Sequence, residues 1–360
     1  MTVITSIGTS NPKYRYTQDE LYEYISEVGN LTSIQRRKLK SIYKKSAIES
    51  RYSILSDFNK TIIKNYSQEN TRSIEHRLEL FYQHAPNLAI EAIHKTIFGK
   101  LNPKSITHII TVSCTGMSAP GIEISLIESL KLNNNIQRSA VNFMGCYAAI
   151  HALQQANNIC IANPDAIVLV VCVELCSIHF QNTDSDDNLL ANSLFADGAA
   201  ATIVVSDKYA KDNSLLGLRI DDFNSKIISE GSKDMAWHIS SSGFLMALSA
   251  YIPSLIALHL KSFLNTFSQK IDISNIAHWA IHPGGRKILD TIVKELNISS
   301  DKIKDSYEVL KDYGNMSSPS ILFVLRNIMN RNTNRKADDK IMALAFGPGL
   351  VMESCILSHV

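Results

Sequence analysis

Little in this chain of 360 residues is extreme, and its shortages narrow the reading first. Net charge is almost absent: 36 basic against 34 acidic residues leave +2, which gives no field suited to wrapping nucleic acid. Cysteine is sparse. The six, at positions 114, 146, 160, 172, 176 and 355, have neither the density of a disulfide scaffold nor paired C-x-x-C zinc spacing. Cys172 and Cys176, in and just after an apolar run, read as packed thiols. No apolar run approaches the roughly 18 residues of a membrane span, and no low-complexity linker divides the chain. The opening Met1-Thr2-Val3-Ile4-Thr5-Ser6 lacks the basic and then apolar layout of a signal peptide. The expectation is a cytoplasmic globular protein with no nucleic-acid partner, no membrane span and no metal.

What the chain does hold is 45% hydrophobic residues, ample for a large core, and one marked change of texture. Residues 17 to 96 are charged and helical in period over Gln18 to Val28, Ser33 to Lys45 and Arg72 to Lys95, an expected helical cap. The basic run Arg36-Arg37-Lys38-Leu39-Lys40, continued by Lys44-Lys45, reads as a solvated face or as a mouth for a phosphate-bearing substrate. The acidic run Asp184-Ser185-Asp186-Asp187 reads as a solvated loop. From Ile106 onward apolar strands alternate with helices, the pattern of an α/β protein with buried sheets. Strands are expected over Thr107 to Val112, Ala166 to Val173, Ala200 to Val205, His278 to Ile281, Ile341 to Phe346 and Val351 to Leu357. Polar Ser206 to Ser214 marks the boundary between halves 1–208 and 209–360.

The stretch Ala140-Val141-Asn142-Phe143-Met144-Gly145-Cys146-Tyr147 organises the rest. It puts a cysteine on a glycine hinge before a segment, Tyr147 to Ile161, that reads as a buried helix. At a helix N-terminus the free N–H groups and the dipole favour the thiolate, the nucleophilic form; the plainer alternative is a buried structural cysteine. The two halves resemble copies in layout. Cys114 to His282 spans 168 positions and Cys146 to Asn315 spans 169, which places Cys146 and Asn315 at equivalent strand-to-helix hinges and His282 at a neighbouring strand end. Singly, His282 in His-Pro-Gly-Gly is a strand terminator and Asn315 a helix cap. Jointly the three suit acyl-thioester chemistry: a nucleophile, a partner for its thiolate, and two donors for an enolate or oxyanion.

At this point the chain resembles the type III polyketide synthases, the chalcone synthase-like enzymes of the thiolase fold. The resemblance rests on Phe143-Met144-Gly145-Cys146, Val170-Val171-Cys172-Val173-Glu174, Leu194 to Ala201, Ile281-His282-Pro283-Gly284-Gly285, Tyr313-Gly314-Asn315-Met316-Ser317-Ser318 and Phe346-Gly347-Pro348-Gly349-Leu350, in the family's order. It implies an α/β thiolase-like fold, two pseudo-symmetric halves in αβαβα layers with an N-terminal helical region, and a homodimer. It implies a Cys-His-Asn site at the end of a coenzyme A tunnel, with acyl-CoA starter and malonyl-CoA as substrates and no cofactor. Cys146 carries the starter and then the growing chain; His282 and Asn315 promote decarboxylation; a pyrone, resorcinol or phloroglucinol-type ring results. Phe195 matches the gatekeeper, Lys38 and Lys45 match residues that contact coenzyme A phosphates, and Gly347-Pro348-Gly349 matches a cavity-shaping loop.

Departures from the plant pattern bear on substrate. Ser41 stands where plant members carry Arg, and Ala119 where a Met reaches into the partner's cavity. Cys114, Cys176, His179, Trp237 and Met246 line the implied pocket, with Ser317 beside them, which suggests a bacterial-type pocket. Trp237 in place of a glycine fills volume that a flavonoid-sized chain needs. Three rival readings stand against this one. A fatty-acid ketoacyl synthase carries its histidine in His-Gln-Ala-Asn, absent here; hydroxymethylglutaryl-CoA synthase needs a catalytic glutamate with no equivalent found; a non-catalytic thiolase-fold binding protein has no need of the full Cys-His-Asn set.

Overall fold

The computed structural model describes residues 1–28, 31–56, 58, 73–99, 101–181, 185–240, 243–267, 272–331 and 339–360. Nine strands form the large sheet, in the order His278–Ile281, Lys340–Gly347, Val351–His359, Leu218–Ile227, Thr2–Ser10, Asp197–Ser206, Ile167–Leu175, His108–Ser113, Gln137–Asn142. The order contains its own repeat. His108–Ser113 runs parallel to Ile167–Leu175, which runs antiparallel to Asp197–Ser206, which runs antiparallel to Thr2–Ser10. On the other side His278–Ile281, Lys340–Gly347, Val351–His359 and Leu218–Ile227 repeat that series of directions. The two series join edge to edge where Thr2, Val3 and Ile4 pair with Ile220, Arg219 and Leu218.

Burial makes this a layered α/β protein. Strands Ile167–Leu175, Asp197–Ser206 and Val351–His359 are buried at every position, which requires helices on both faces. Two helices, Ala148–Ala162 and Pro319–Asn330, fill the centre, where Ala149, Ala152, Ala156, Ile321, Leu322 and Leu325 meet inner-face residues of both half-sheets, among them Val168, Val170, Ala343 and Ala345. Small alanines let the first of these helices sit close to the strands. One outer face is covered by Ile74–Ile97 and Ile122–Leu130, the other by Ile252–Leu264, Arg286–Leu296 and Ser300–Tyr313.

Several sequence expectations are corrected. The helix Ile74–Ile97 is not part of the cap: Phe81, Ala85, Leu88, Ala89 and Ile93 pack on the sheet's outer face. The cap consists of Gln18–Val28, Ser33–Lys45 and the hairpin Tyr14–Thr17/Ser50–Ser53, around Tyr24, Leu39, Tyr43 and Phe58; Arg72 lies outside the described residues. In Ser33–Lys45, Leu39 and Tyr43 face inward and the lysines and arginines outward. The run Asp184 to Asp187 is not a loop over its described part. Ser185 caps the helix Asp186–Leu194 by accepting from the Asn188 N–H, and two aspartates in the first turn suit the helix dipole; Asp184 lies outside the described residues.

Candidate active site

The nucleophile hinge is built by backbone strain at two positions. After the strand Gln137–Asn142, Phe143 and Gly145 take φ of +59° and +82°, and Tyr147 then opens the helix Ala148–Ala162. Gly145 has no room for a side chain, since a Cβ there lies 2.6 Å from the Pro348 ring. The hinge exposes Cys146 to one cavity of about 110 Å3 whose wall also holds His282, Asn315, Phe195, Ser317 and Pro348. Gly347 backs the nucleophile, since a Cβ there would meet the Tyr147 ring and the Cys146 nitrogen.

Asn315 reaches the same cavity by a different route from the one expected. Its hinge is not strand-to-helix: the helix Ser300–Tyr313 ends on Gly314 at φ +68°, and the chain re-enters a helix at Pro319. Between them Asn315 forms a one-residue parallel bridge with Phe195, its N–H donating to Leu194 O at 2.9 Å and its carbonyl accepting from Ala196 N–H at 2.9 Å. The Ser317 N–H, at φ +57°, donates to Asn315 Oδ1 at 2.8 Å. That bond fixes the side chain as well as its sense: Oδ1 is occupied, and Nδ2, 3.4 Å from Gly284 O and turned toward the Cys146 thiol, is the donor side.

His282 ends the strand His278–Ile281, and its backbone N–H donates to Leu344 O at 2.8 Å. Neither ring nitrogen has a hydrogen-bond partner among the described residues. Burial pushes its pKa down to about 3, so the ring is neutral. Cys146 moves the opposite way. Burial raises the thiol to about 11, against the hydrogen bonding of Ser317 and Asn315, and the buried Glu174 charge adds to the rise. Burial and the helix N-terminus thus act on this thiol in opposite senses. The free site holds a thiol and a neutral imidazole.

Glu174, which sequence reading noticed only inside a motif block, holds the loop beside the nucleophile. Fully buried, its Oε2 accepts from Cys114 N–H at 3.0 Å and Thr115 Oγ1 at 2.8 Å, and its Oε1 from Ser318 Oγ at 2.7 Å. The first-half loop and the second-half turn are thereby tied to one carboxylate. Burial raises its pKa.

The far wall is aromatic. Trp237 and Met246 are cross-strand partners in the hairpin Met235–Ser240/Gly243–Leu248, and Trp237 Nε1 donates to Cys114 O at 2.8 Å. His179 Nε2 sits 2.6 Å from Thr115 O and therefore carries the proton. Phe244, missed in the sequence, stacks on His179 at 4.2 Å and meets Trp237 edge-on at 5.4 Å. Its place two residues before Met246, on the same face of the strand, was a usable signal. Cys114 and Cys176 complete this wall. Lys38, Lys45, Gly347 and Gly349 do not line the cavity. Lys38 is exposed and ion-paired with Asp186, Lys45 and Ser41 are exposed on the same helix, and Ala119 is exposed on the loop after His108–Ser113. Among the described residues no three His, Cys, Asp or Glu side chains gather as metal ligands.

Two family profiles cover the chain: chalcone and stilbene synthases, N-terminal domain, over residues 1–208, and the C-terminal domain of the same enzymes over 220–360. The chain belongs to the chalcone and stilbene synthase family. That places it among the type III polyketide synthases, acyltransferases by class. It is 30% identical to the alpha-pyrone synthesis polyketide synthase-like Pks18 of Mycobacterium tuberculosis, over 99% of this chain and 91% of the relative. It is 31% identical to probable polyketide synthase 1 of Dictyostelium discoideum over 99% of this chain, but spans only 11% of that relative's length. The crystal structure of the C-terminal type III polyketide synthase domain of Steely1, a type I/III hybrid from Dictyostelium, superposes with a TM-score of 0.90 at 29% identity, covering 100% of this chain and 99% of that domain.

Proposed function

We propose that this protein loads an acyl group from an acyl-CoA onto Cys146, extends it with malonyl-CoA by repeated decarboxylative Claisen condensation, and releases a cyclised product. The observation that carries the reading is the meeting of Cys146, His282 and Asn315 on one cavity, the nucleophile from half 1–208 and both donors from half 209–360. In loading, Cys146 Sγ attacks the acyl-CoA carbonyl as its proton passes to His282, and the coenzyme A thiolate leaves with a proton. Malonyl-CoA then loses CO2, and the electron pair of the broken bond becomes an enolate whose oxygen accepts from a neutral His282 N–H and from Asn315 Nδ2. The enolate carbon attacks the Cys146 thioester and expels the thiolate. No cofactor takes part.

The starter we favour is an aliphatic acyl group. Support comes from the cavity wall of Cys114, Cys176, Met246, Phe244 and Trp237, surfaces that a flexible chain fills at about 0.8 kcal/mol per buried methylene. The product we favour is a pyrone-type or phloroglucinol-type ring. We further propose a homodimer, supported by the family resemblance and by the solvent-facing edge strand Gln137–Asn142, and a cytoplasmic setting, which suits six free cysteines; no described helix is long and apolar enough to cross a membrane. Lys38 and Lys45 are proposed contacts for coenzyme A phosphates, Lys38 after release from Asp186. The test is incubation with malonyl-CoA and a panel of acyl-CoA starters, with products read by mass spectrometry and the dimer by sedimentation. Absence of any malonyl-dependent product across the panel overturns the reading.

A further inference from the structure

Three consecutive carbonyls, those of Ser193, Leu194 and Phe195, are each caught by a different group. Gln18 Nε2 donates to Ser193 O at 2.8 Å, the Asn315 N–H to Leu194 O at 2.9 Å, and Arg51 Nη1 to Phe195 O at 2.6 Å. Arg51 and Gln18 are themselves joined, Arg51 Nε donating to Gln18 Oε1 at 3.0 Å. The middle carbonyl, the one that holds Asn315, is thus flanked by two that the N-terminal cap holds. Arg51, which also reaches the cavity wall, closes the hinge as well: a Cβ on Gly314 would lie 2.8 Å from Arg51 Cγ and 2.9 Å from Leu194 O. We propose that Arg51 is a positioning residue that keeps the Phe195–Asn315 bridge in register and so aims the Asn315 amide. The inference rests on Asn315 being the enolate donor.

Arg51 is 6% exposed, its Nη2 has no hydrogen-bond partner among the described residues, and Asp197 acts on it by charge alone. A buried guanidinium without an ion-pair partner is a costly means of satisfying two oxygens. What its planar fork alone provides is two N–H groups at a fixed separation, one for Phe195 O and one for Gln18. A lysine keeps the charge and most of the stem, but its single ammonium cannot hold both acceptors in one plane.

The test is a cycle of Arg51→Lys and Asn315→Ala, read as malonyl-CoA decarboxylation, with Gln18→Leu as a second probe of the same support. Arg51→Lys is expected to lower kcat about tenfold with KM within about twofold, and Gln18→Leu to lower it less. On the Asn315→Ala background neither change should cost anything more, because the residue they position is gone. A wild-type rate in Arg51→Lys, or the same loss on both backgrounds, overturns the proposal. Should Arg51→Lys fail to fold, as thermal melting will report, Gln18→Leu decides by the same criterion. Wild-type protein that does not decarboxylate malonyl-CoA overturns the proposed function and this inference together, whereas an active wild type with additive losses overturns this inference alone.

Discussion

At residues 145 and 314 the chain turns on a left-handed glycine and delivers a polar side chain to the same cavity, just ahead of a central helix. The two turns then part. A strand enters the first and the helix begins two residues after Cys146; a helix enters the second, and four residues separate Gly314 from Pro319. Those extra residues let Asn315 make backbone bonds on both sides and a side-chain bond to the Ser317 N–H. Cys146 is left on a short hinge with its sulfur facing the cavity. The repeat of the half-sheets therefore explains why the two residues converge, and the length of each turn explains why one is fit to react and the other to be held still.

The largest break in that comparison is expected at the nucleophile. Cys146→Ala should abolish condensation, by about 10⁴-fold or more, because Cys114 and Cys176 on the same wall lie on no glycine hinge. Decarboxylation of malonyl-CoA should survive in part, since it needs the donors rather than the thiol. Full product formation by the alanine variant would end the assignment of Cys146.

Next in size is the donor side. Asn315→Ala or His282→Ala should each slow decarboxylation by roughly 100-fold or more, as for other oxyanion-hole donors, and the double variant should lose far less than the product of the two. If Asn315→Ala decarboxylates at the wild-type rate, its bonds to Leu194, Ala196 and Ser317 are structural only and the contrast between the hinges is one of packing.

A third measurement sharpens the contrast in protonation. Cys146 is raised to about 11 and His282 lowered to about 3, so at neutral pH the free site holds thiol and imidazole. Alkylation of Cys146 by iodoacetamide, followed by peptide mass spectrometry, should then rise about tenfold per pH unit from 7 to 9, tracking the thiolate fraction. A plateau below pH 8 would mean that His282 already holds the thiolate as an ion pair.

How far the sequence foretold this site depends on where the partners lie. Ile167–Leu175 and Val351–His359 are legible because strands buried on both faces read as unbroken apolar runs. Leu218–Ile227 is not, since Asp221, Asp222, Asn224 and Lys226 break the run, and antiparallel pairing with Val351–His359 supplies what its composition lacks. Cys146 and His282 announce themselves by local motif. The bridge between Phe195 and Asn315, and the hold of Arg51 and Gln18 on Ser193 and Phe195, join segments far apart in the chain and leave no local pattern. The setting of the thiol divides in the same way: the helix terminus is local, whereas the burial that opposes it is built by both halves.

The smallest expected effect lies on the wall that faces both hinges, where Trp237 sets how much chain fits beside Cys146. Its ring is held by the bond from Nε1 to Cys114 O and by edge-on contacts with Phe244 and His179, so it does not swing aside at little cost. Trp237→Gly removes the indole and leaves the Cys114 carbonyl open to water or to a longer acyl chain. With straight-chain acyl-CoA starters of increasing length, wild type should show a sharp upper limit and the variant a limit shifted to longer chains. Each extra methylene it buries is worth about 0.8 kcal/mol, about fourfold in relative kcat/KM. The variant should also carry some starters through an additional malonyl extension, while acylation of Cys146 by the shortest starter stays near the wild-type rate because neither hinge has been touched. If the product profile is unchanged while the protein remains folded by thermal melting, the indole is not the limiting wall, and Phe244 with His179 becomes the boundary to alter next.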